Sequence, residues 1–247
     1  MQDRFHDSAG VPWEGREFSK NTWAEDDGSA PAVLAAALEN RPLDKQAVFK
    51  ALRESRLLVP LVAELGESAE GAHGQRVDKS ADLAIVAVST PDGKTAIPVF
   101  SSVTQMQKWR AEARPVPVDS AKVALAAIAE GHERIVIDPA GQAVVLRRPA
   151  LAALAQGSNW TPPHQNSRVR HLVGLAAITQ SKVLSVDLFD SDPESNLEKP
   201  ELLIQLGLEP GIRPEELKTL LEGFNNELQS QEFLQLVDSI AIRIVVA

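Results

Sequence analysis

Residues 82–118 read DLAIVAVSTPDGKTAIPVFSSVTQMQKWRAEARPVPV, and the order of their patterns (strand, turn, strand, helix, returning strand) decides the fold class. Leu83, Ile85, Val86 and Val88 form a short apolar run, too short for a helix and closed by Thr90-Pro91-Asp92-Gly93, so it reads as a buried strand. Asp92-Gly93 supplies turn residues, and Thr95, Ile97, Val99 and Phe100 then resume the extended pattern, which predicts a β-hairpin. Pro98 cannot donate to a ladder and belongs at an edge, a strand start or a bulge. From Ser102 the period changes: Ser102 and Gln105 have capping-box spacing, and Val103, Met106 and Trp109 fall near one helical face. Pro115 and Pro117 stop that helix and leave Val116 and Val118 extended, a strand returning beside its own sheet.

Upstream, residues Met1 to Gly28 show no period yet carry Phe5, Trp13, Phe18 and Trp23, an irregular arm whose rings need somewhere to dock. Ser29 and Pro31 fit the start of an alanine-rich helix ending near Asn40. Pro42 and Asp44 open a second helix, with Val48, Ala51, Leu52 and Ser55 on one stripe. Leu57 to Leu65 reads as the first strand, and the polar stretch from Gly66 to Ser80 as a long mobile loop. Downstream come a helix through Val123 to Ile128 stopped by Gly131, a strand at Arg134 to Asp138, a turn at Pro139-Ala140-Gly141, a strand at Ala143 to Leu146, and a helix from Pro149 to Gly157. SNWTPPHQNS, residues 158–167, breaks every period and reads as a linker between two units able to fold independently. Beyond it lie an ambiguous segment at Val169 to Ile178, strands at Val183 to Phe189 and Leu202 to Leu208, a helix after Pro214, and a final strand at Ile240 to Val246. The fold class is α+β: two small mixed α/β-sheet domains with an N-terminal irregular arm.

At 247 residues the chain can bury a substantial core, and with 4% aromatic residues that core is mainly aliphatic. A net charge of −9 argues against a nucleic-acid partner, since phosphate binding needs clustered Lys and Arg. The charge is uneven: Gln165 to Ala247 holds 7 basic and 13 acidic residues. With no cysteine, there are no disulfides, thiolate nucleophiles or zinc–thiolate sites. MQDRFHDSAG lacks the features of a signal peptide, and no apolar run reaches membrane-spanning length, so a cytoplasmic protein without membrane contact is expected.

No catalytic constellation emerges. Gly93-Lys94-Thr95 copies the end of a phosphate-binding loop, but Val88 stands where that loop requires glycine, and a hairpin turn accounts for it. Asp190, Asp192, Glu194 and Glu201 fall at four calcium-loop positions, yet Ser195 replaces the turn glycine and strands flank the loop, which favours a solvated acidic loop. His6, His73, His132, His164 and His171 show no metal-ligand spacing, and His132 suits a helix C-terminus. Phe100 and Trp109 read as core, with a pocket as the alternative. In a pocket, Ser101, Ser102 and the open amides of the helix start suit a small anion or an amino-acid carboxylate.

The chain resembles the SseB (enhanced serine sensitivity B) family, whose members join an N-terminal and a C-terminal SseB domain. The resemblance rests on Leu57-Leu58-Val59-Pro60, on Ile97-Pro98-Val99-Phe100-Ser101-Ser102 leading to Trp109, and on Ile135-Val136-Ile137-Asp138-Pro139-Ala140-Gly141. Ser101 stands where the family more often has Thr, and Asp138 where it more often has Asn. DSAG-x-PW and DDGSA, around Asp7 and Asp26, are similar to actinobacterial members. The resemblance to the N-terminal domain runs from about Ala30 to Gln156; together with the aperiodic arm and the linker it divides the chain into an arm at 1–28, an N-terminal domain at 29–157, a linker at 158–167 and a C-terminal domain at 168–247. It brings a link with serine sensitivity but no reaction, cofactor or active site. The expectation is a non-catalytic intracellular module for protein interaction or regulation, without cofactor or metal, with Phe100, Ser101, Ser102, Trp109, Trp13 and Trp23 as ligand or partner candidates. The alternative is a small-molecule (amino-acid or anion) binding protein or enzyme with its site near Phe100, Ser102 and Trp109. Oligomeric state is not legible in the sequence.

Overall fold

The computed structural model describes residues 23–63 and 83–247. The chain forms α1 (Ala32–Glu39), α2 (Lys45–Arg53), β1 (Arg56–Ala63), β2 (Leu83–Ile85), β3 (Val88–Ser89), β4 (Thr95–Val99), α3 (Val103–Trp109), β5 (Arg114–Asp119), α4 (Ser120–Ala129), β6 (Ile135–Ile137), β7 (Val144–Leu146) and α5 (Arg148–Ala155). After a single 3-10 turn at Pro163–Gln165 come α6 (Ser167–Ile178), β8 (Val183–Asp190), β9 (Leu202–Leu208), α7 (Pro214–Glu227), α8 (Gln231–Leu236) and β10 (Ile240–Val246). This is an α+β protein. None of its described helices is long and apolar enough to cross a membrane. Trp13 and the Gly66 to Ser80 stretch lie outside the described residues.

Local chemistry explains many element ends. Asp44 accepts from the amides of Gln46 and Ala47, both at 3.0 Å, and so caps α2. Gly131 (φ 84°) and Gly157 (φ 65°) take the left-handed conformation after α4 and α5. α1 departs from expectation: Pro31, with no side-chain bond, holds the N-cap position, and Ser29 instead gives its amide to Asp27.

The hairpin exists but is short. Asp92-Gly93 turns it, with Gly93 at φ 78°, and only Val88 and Ser89 pair with β4. The expected strand through residues 83–88 is split between two sheets: β2 pairs with β1, while Val88 joins the cluster of Ala96, Val136 and Val145. Val86, between them, packs on Leu58 and Phe100, so the chain changes sheets where its side chains change cores. The returning strand is a second correction. β5 lies antiparallel on β1, giving the order β2-β1-β5, and not beside β4, whose sheet runs β3-β4-β6-β7. A bridge between Leu58 and Phe100, with N–H···O bonds of 2.8 and 2.9 Å, joins the two sheets. Pro98 sits inside β4 without a lost bond, because Ile97 and Val99 make the contacts to β6 and β3 has already ended on the other side.

Two large cores result. One gathers α1, α2, α4 and α5 on the inner faces of the first two sheets, through Leu34, Leu52, Leu57, Val99, Ile137 and Leu151. The other packs α6, α7 and α8 on the sheet β10-β9-β8, with Leu202, Ile204, Leu206 and Leu208 alternating inward from β9. The ambiguous Val169 to Ile178 segment is helix α6: Val169, Val173, Ala176 and Ala177 are its buried stripe, and Asn166 caps it through the amides of Arg168 and Val169. The stretch between the cores packs on α2. Trp160 stacks 5.5 Å from Phe49, and Arg53 donates to Asn159 and to the Gly157 carbonyl.

The described end of the arm is tied to the first core by one charge. The Arg56 guanidinium, 3% exposed, donates to both carboxylate oxygens of Asp26 at 2.6 and 3.0 Å and to the carbonyls of Ser29 and Ser101. Its hydrogen bonds, helped by the Gly28 amide and opposed by burial, hold the Asp26 carboxyl below the usual range. Asp26→Ala should therefore destabilise the protein by about 3 kcal/mol in denaturant melts at pH 7, because it strands a buried guanidinium. A lowered folded pKa stabilises at higher pH: the Asp26 contribution is full above its ordinary value of 3.8 and fades as pH falls below it, where wild type and variant should converge.

Candidate functional site

β4 ends in Phe100, Ser101 and Ser102, and the turn after β6 brings Asp138 against them. Asp138 adopts a left-handed φ of 52°, which a short polar side chain tolerates, and the turn is closed by the Gly141 amide on the Asp138 carbonyl at 2.9 Å. Its carboxylate accepts from the Ser101 amide at 2.9 Å and the Ser101 hydroxyl at 2.6 Å. Burial raises the Asp138 carboxyl above its ordinary value, against the lowering pull of the Ser101 bonds and of the Lys108 charge.

Two amides at the start of α3 are also engaged. Ser102 Oγ caps α3 through the Gln105 amide at 3.2 Å, and the Val103 amide donates to the Gly28 carbonyl at 2.9 Å. Gly28 fits because its φ is 78° and a Cβ there would meet Val103 Cγ2 at 2.5 Å. Phe100 is fully buried, its ring 5.4 Å from that of Trp109, and both pack with Leu58, Val62 and Met106. The Arg110 guanidinium covers Trp109 at 4.8 Å from the ring centroid. Trp23 is half-buried, and its carbonyl accepts the Asp26 amide at 3.1 Å. The structure thus brings Phe100, Ser101, Ser102 and Trp109 together and adds Asp138.

Sequence reasoning missed a second cluster, between the two cores. Arg147, 5% exposed, donates to Asp192 at 2.5 Å, Asp238 at 3.1 Å, Ser239 at 3.2 Å and the Lys199 carbonyl at 2.7 Å. Arg134, fully buried, pairs with Asp92 and stands 3.6 Å from Asp238. Lys45 meets Asp190 at 2.7 Å and Arg41 meets Glu194 at 2.8 Å. Backbone joins in. The Val145 amide donates to the Ser195 carbonyl at 2.7 Å, the Ser195 hydroxyl returns to the Val145 carbonyl at 2.9 Å, and Leu197 inserts among Ala96, Val136 and Val145. Three of the four carboxylates that mimic a calcium loop, Asp190, Asp192 and Glu194, are therefore partners of cations, and no group of three or more His, Cys, Asp or Glu among the described residues is placed to hold a metal. The signal that could have found this cluster is Arg134 and Arg147 themselves, charged residues flanking the apolar runs of β6 and β7.

Glu201 completes the cluster. It is 4% exposed and accepts the Asp238 amide at 2.7 Å. Burial, reinforced by the Asp238 charge and opposed by that amide, Arg147 and Lys45, pushes its carboxyl up to about 7. A cavity of about 20 Å³, room for one water, lies among Lys45, Arg147, Trp160 and Glu201.

Residues 31–153 match the SseB protein N-terminal domain. That stretch, 123 of the 247 residues, is similar to this domain. No curated protein and no solved structure matches the chain. The SseB domain match spans α1 to most of α5, and so contains Ser101, Asp138, Arg134 and Arg147, while their partners Asp192 and Asp238 lie beyond it.

On the surface, α2 runs between two grooves. One, of about 690 Å³, is lined by Phe49, Arg53, Asn159, Trp160 and Thr161 among others. The second, of about 740 Å³, is lined by Val33, Ala36, Ala37, Ala51 and neighbours. Ala47, Lys50 and Glu54 border both.

Two outcomes follow from the buried carboxyls. Folding retains a proton on Glu201 that the unfolded chain, with its ordinary value of 4.5, releases, so its contribution to stability falls as pH rises from 4.5 to about 7. Glu201→Gln should accordingly gain about 1–3 kcal/mol relative to wild type between urea melts at pH 5 and pH 8. Asp138→Asn keeps an acceptor for the Ser101 amide and should leave the melting temperature nearly unchanged, whereas Asp138→Ala strands buried donors and should cost about 1–3 kcal/mol.

Proposed function

We propose that the chain is a non-catalytic cytoplasmic protein of the SseB family, of actinobacterial type. Its N-terminal domain (29–157) and a C-terminal SseB domain (168–247), joined by 158–167, act together as a protein-binding or regulatory module linked to serine metabolism through the family alone. The observation that carries this reading is the surface around α2. Two grooves of about 690 and 740 Å³ share the Ala47, Lys50 and Glu54 edge of one helix. Phe49, Trp160 and the alanines of α1 give an apolar floor, and Asp44, Lys50, Arg53 and Glu54 a charged rim. An apolar centre within a polar rim is the composition of a protein interface. The net charge of −9 disfavours nucleic acid as the partner.

The rival reading, an amino acid or anion bound near Phe100, Ser102 and Trp109, has less to stand on. The Ser101 amide and hydroxyl, the Val103 amide and the Gln105 amide already have partners within the chain. A ligand there would have to displace them.

The test is a pull-down from the source cell with wild type and an Ala47→Arg/Lys50→Glu double variant that melts at the wild-type temperature. A protein retained by the first and lost by the second supports the groove. Equal capture by both places binding elsewhere, and a reproducible rise in melting temperature with serine or another amino acid favours the rival reading.

A further inference from the structure

A sheet edge offers a row of unpaired backbone groups, and folded proteins guard such edges with short strands, prolines, bulges or charges. Five of the six edges in the described residues are guarded in this way. β5 carries Pro115 and Pro117; β2 and β3 are three and two residues long. β7 has three residues, and Val145 is bonded to Ser195 through both its amide and its carbonyl. β8 has a register irregularity between Val183 and Ser185 and the charges of Asp187 and Asp190.

β10 differs from all of them. Its seven residues, IAIRIVV, pair with β9 in unbroken parallel register and contain no proline, no glycine and a single charge. None of the seven is buried, although six are apolar, and Ile244 and Val246 are 41% and 74% exposed. By the register with β9, Ile240, Ile242, Ile244 and Val246 lie on the same face as the inward-pointing Leu202, Ile204, Leu206 and Leu208.

We propose that β10 pairs antiparallel with β10 of a second copy of this chain, making one continuous six-stranded sheet across a twofold axis at Ile244. The occupant follows from three constraints. An isologous pair closes the edge with nothing left to grow, whereas pairing β10 with the β8 edge of another copy would propagate. Like charges directly opposite one another are unfavourable, so the axis does not fall on Arg243. An axis on Ile242 would set Val246 against Asp238, which is already engaged with Arg147. On Ile244 the axis sets Ile244 against its own copy, Ile242 against Val246, and Arg243 against Val245, covering the two most exposed apolar residues of the strand. This surface is separate from the grooves around α2, and its failure leaves that reading untouched.

The chain contains no cysteine, so one introduced thiol reports cleanly. Light scattering across a micromolar dilution series should show a reversible dimer. Ile244→Glu, which sets two carboxylates face to face, should weaken it at least tenfold while the melting temperature of the dilute protein stays within a few degrees. Oxidised Ile244→Cys should form a disulfide-linked dimer, and Ser185→Cys on the far edge should not. A wild-type monomer throughout overturns the proposal. So does a dimer that survives Ile244→Glu, or an Ile244→Cys that gives no cross-link, including the case in which a strand of another protein occupies the edge.

Discussion

A guanidinium that is 95% shielded from water must find anionic partners, and Arg147 finds them in residues more than forty positions away. Because Asp192 and Asp238 belong to the second half of the chain, these bonds join it to the first. Breaking a buried pair by removing one partner is far more damaging than replacing the pair with apolar side chains, so an arrangement of this kind fixes geometry more than it adds stability. Around it the backbone bonds of Val145 and Ser195, the insertion of Leu197 and the outer pairs of Lys45 and Arg41 hold the second half in one position. One of the grooves beside α2 has Trp160, on the stretch that joins the cores, in its floor.

The Ser101–Asp138 contact is local positioning of another sort. A carboxylate inside the fold, raised above its ordinary titration range and bonded twice by one serine, holds the turn after β6 against the start of α3. The same three residues, Phe100 to Ser102, also receive Arg56 through the Ser101 carbonyl and lie beside the Gly28 bond to Val103. Sheet, helix and arm therefore converge on a junction whose polar atoms serve the chain itself.

What was legible in the sequence is what short-range chemistry encodes. Asp44 and Ser102 cap their helices, Gly93 turns the hairpin, and Gly131 and Gly157 end helices, each for reasons contained within a few residues. Pairing between distant segments is not encoded that way. Nothing in Pro115 to Val118 distinguishes β1 from β4 as its neighbour, and the run from Leu83 to Val88 gives no notice that it will change sheets. α6 was ambiguous because Arg170, His171 and Gly174 interrupt a stripe that becomes plain only once Val169, Val173 and Ala176 are seen buried. At the junction the sequence picked out Phe100 to Ser102 and Asp138 in separate motifs, but a hydrogen bond across 37 residues has no signature in either. The acidic run from Asp190 to Glu201 read as solvated because its cations lie as much as 153 residues upstream.

That separation has a meaning for the order in which the protein is made. A ribosome releases Arg147 before either of its carboxylate partners: Asp192 follows after 45 further residues and Asp238 after 91, whereas Arg134 already has Asp92 upstream. Until then the Arg147 guanidinium at the end of β7 is held by water, and the last strand to emerge is the one whose preceding residues, Asp238 and Ser239, close the cluster. Vectorial synthesis thus makes the contact between the two cores the last part of the fold to be completed.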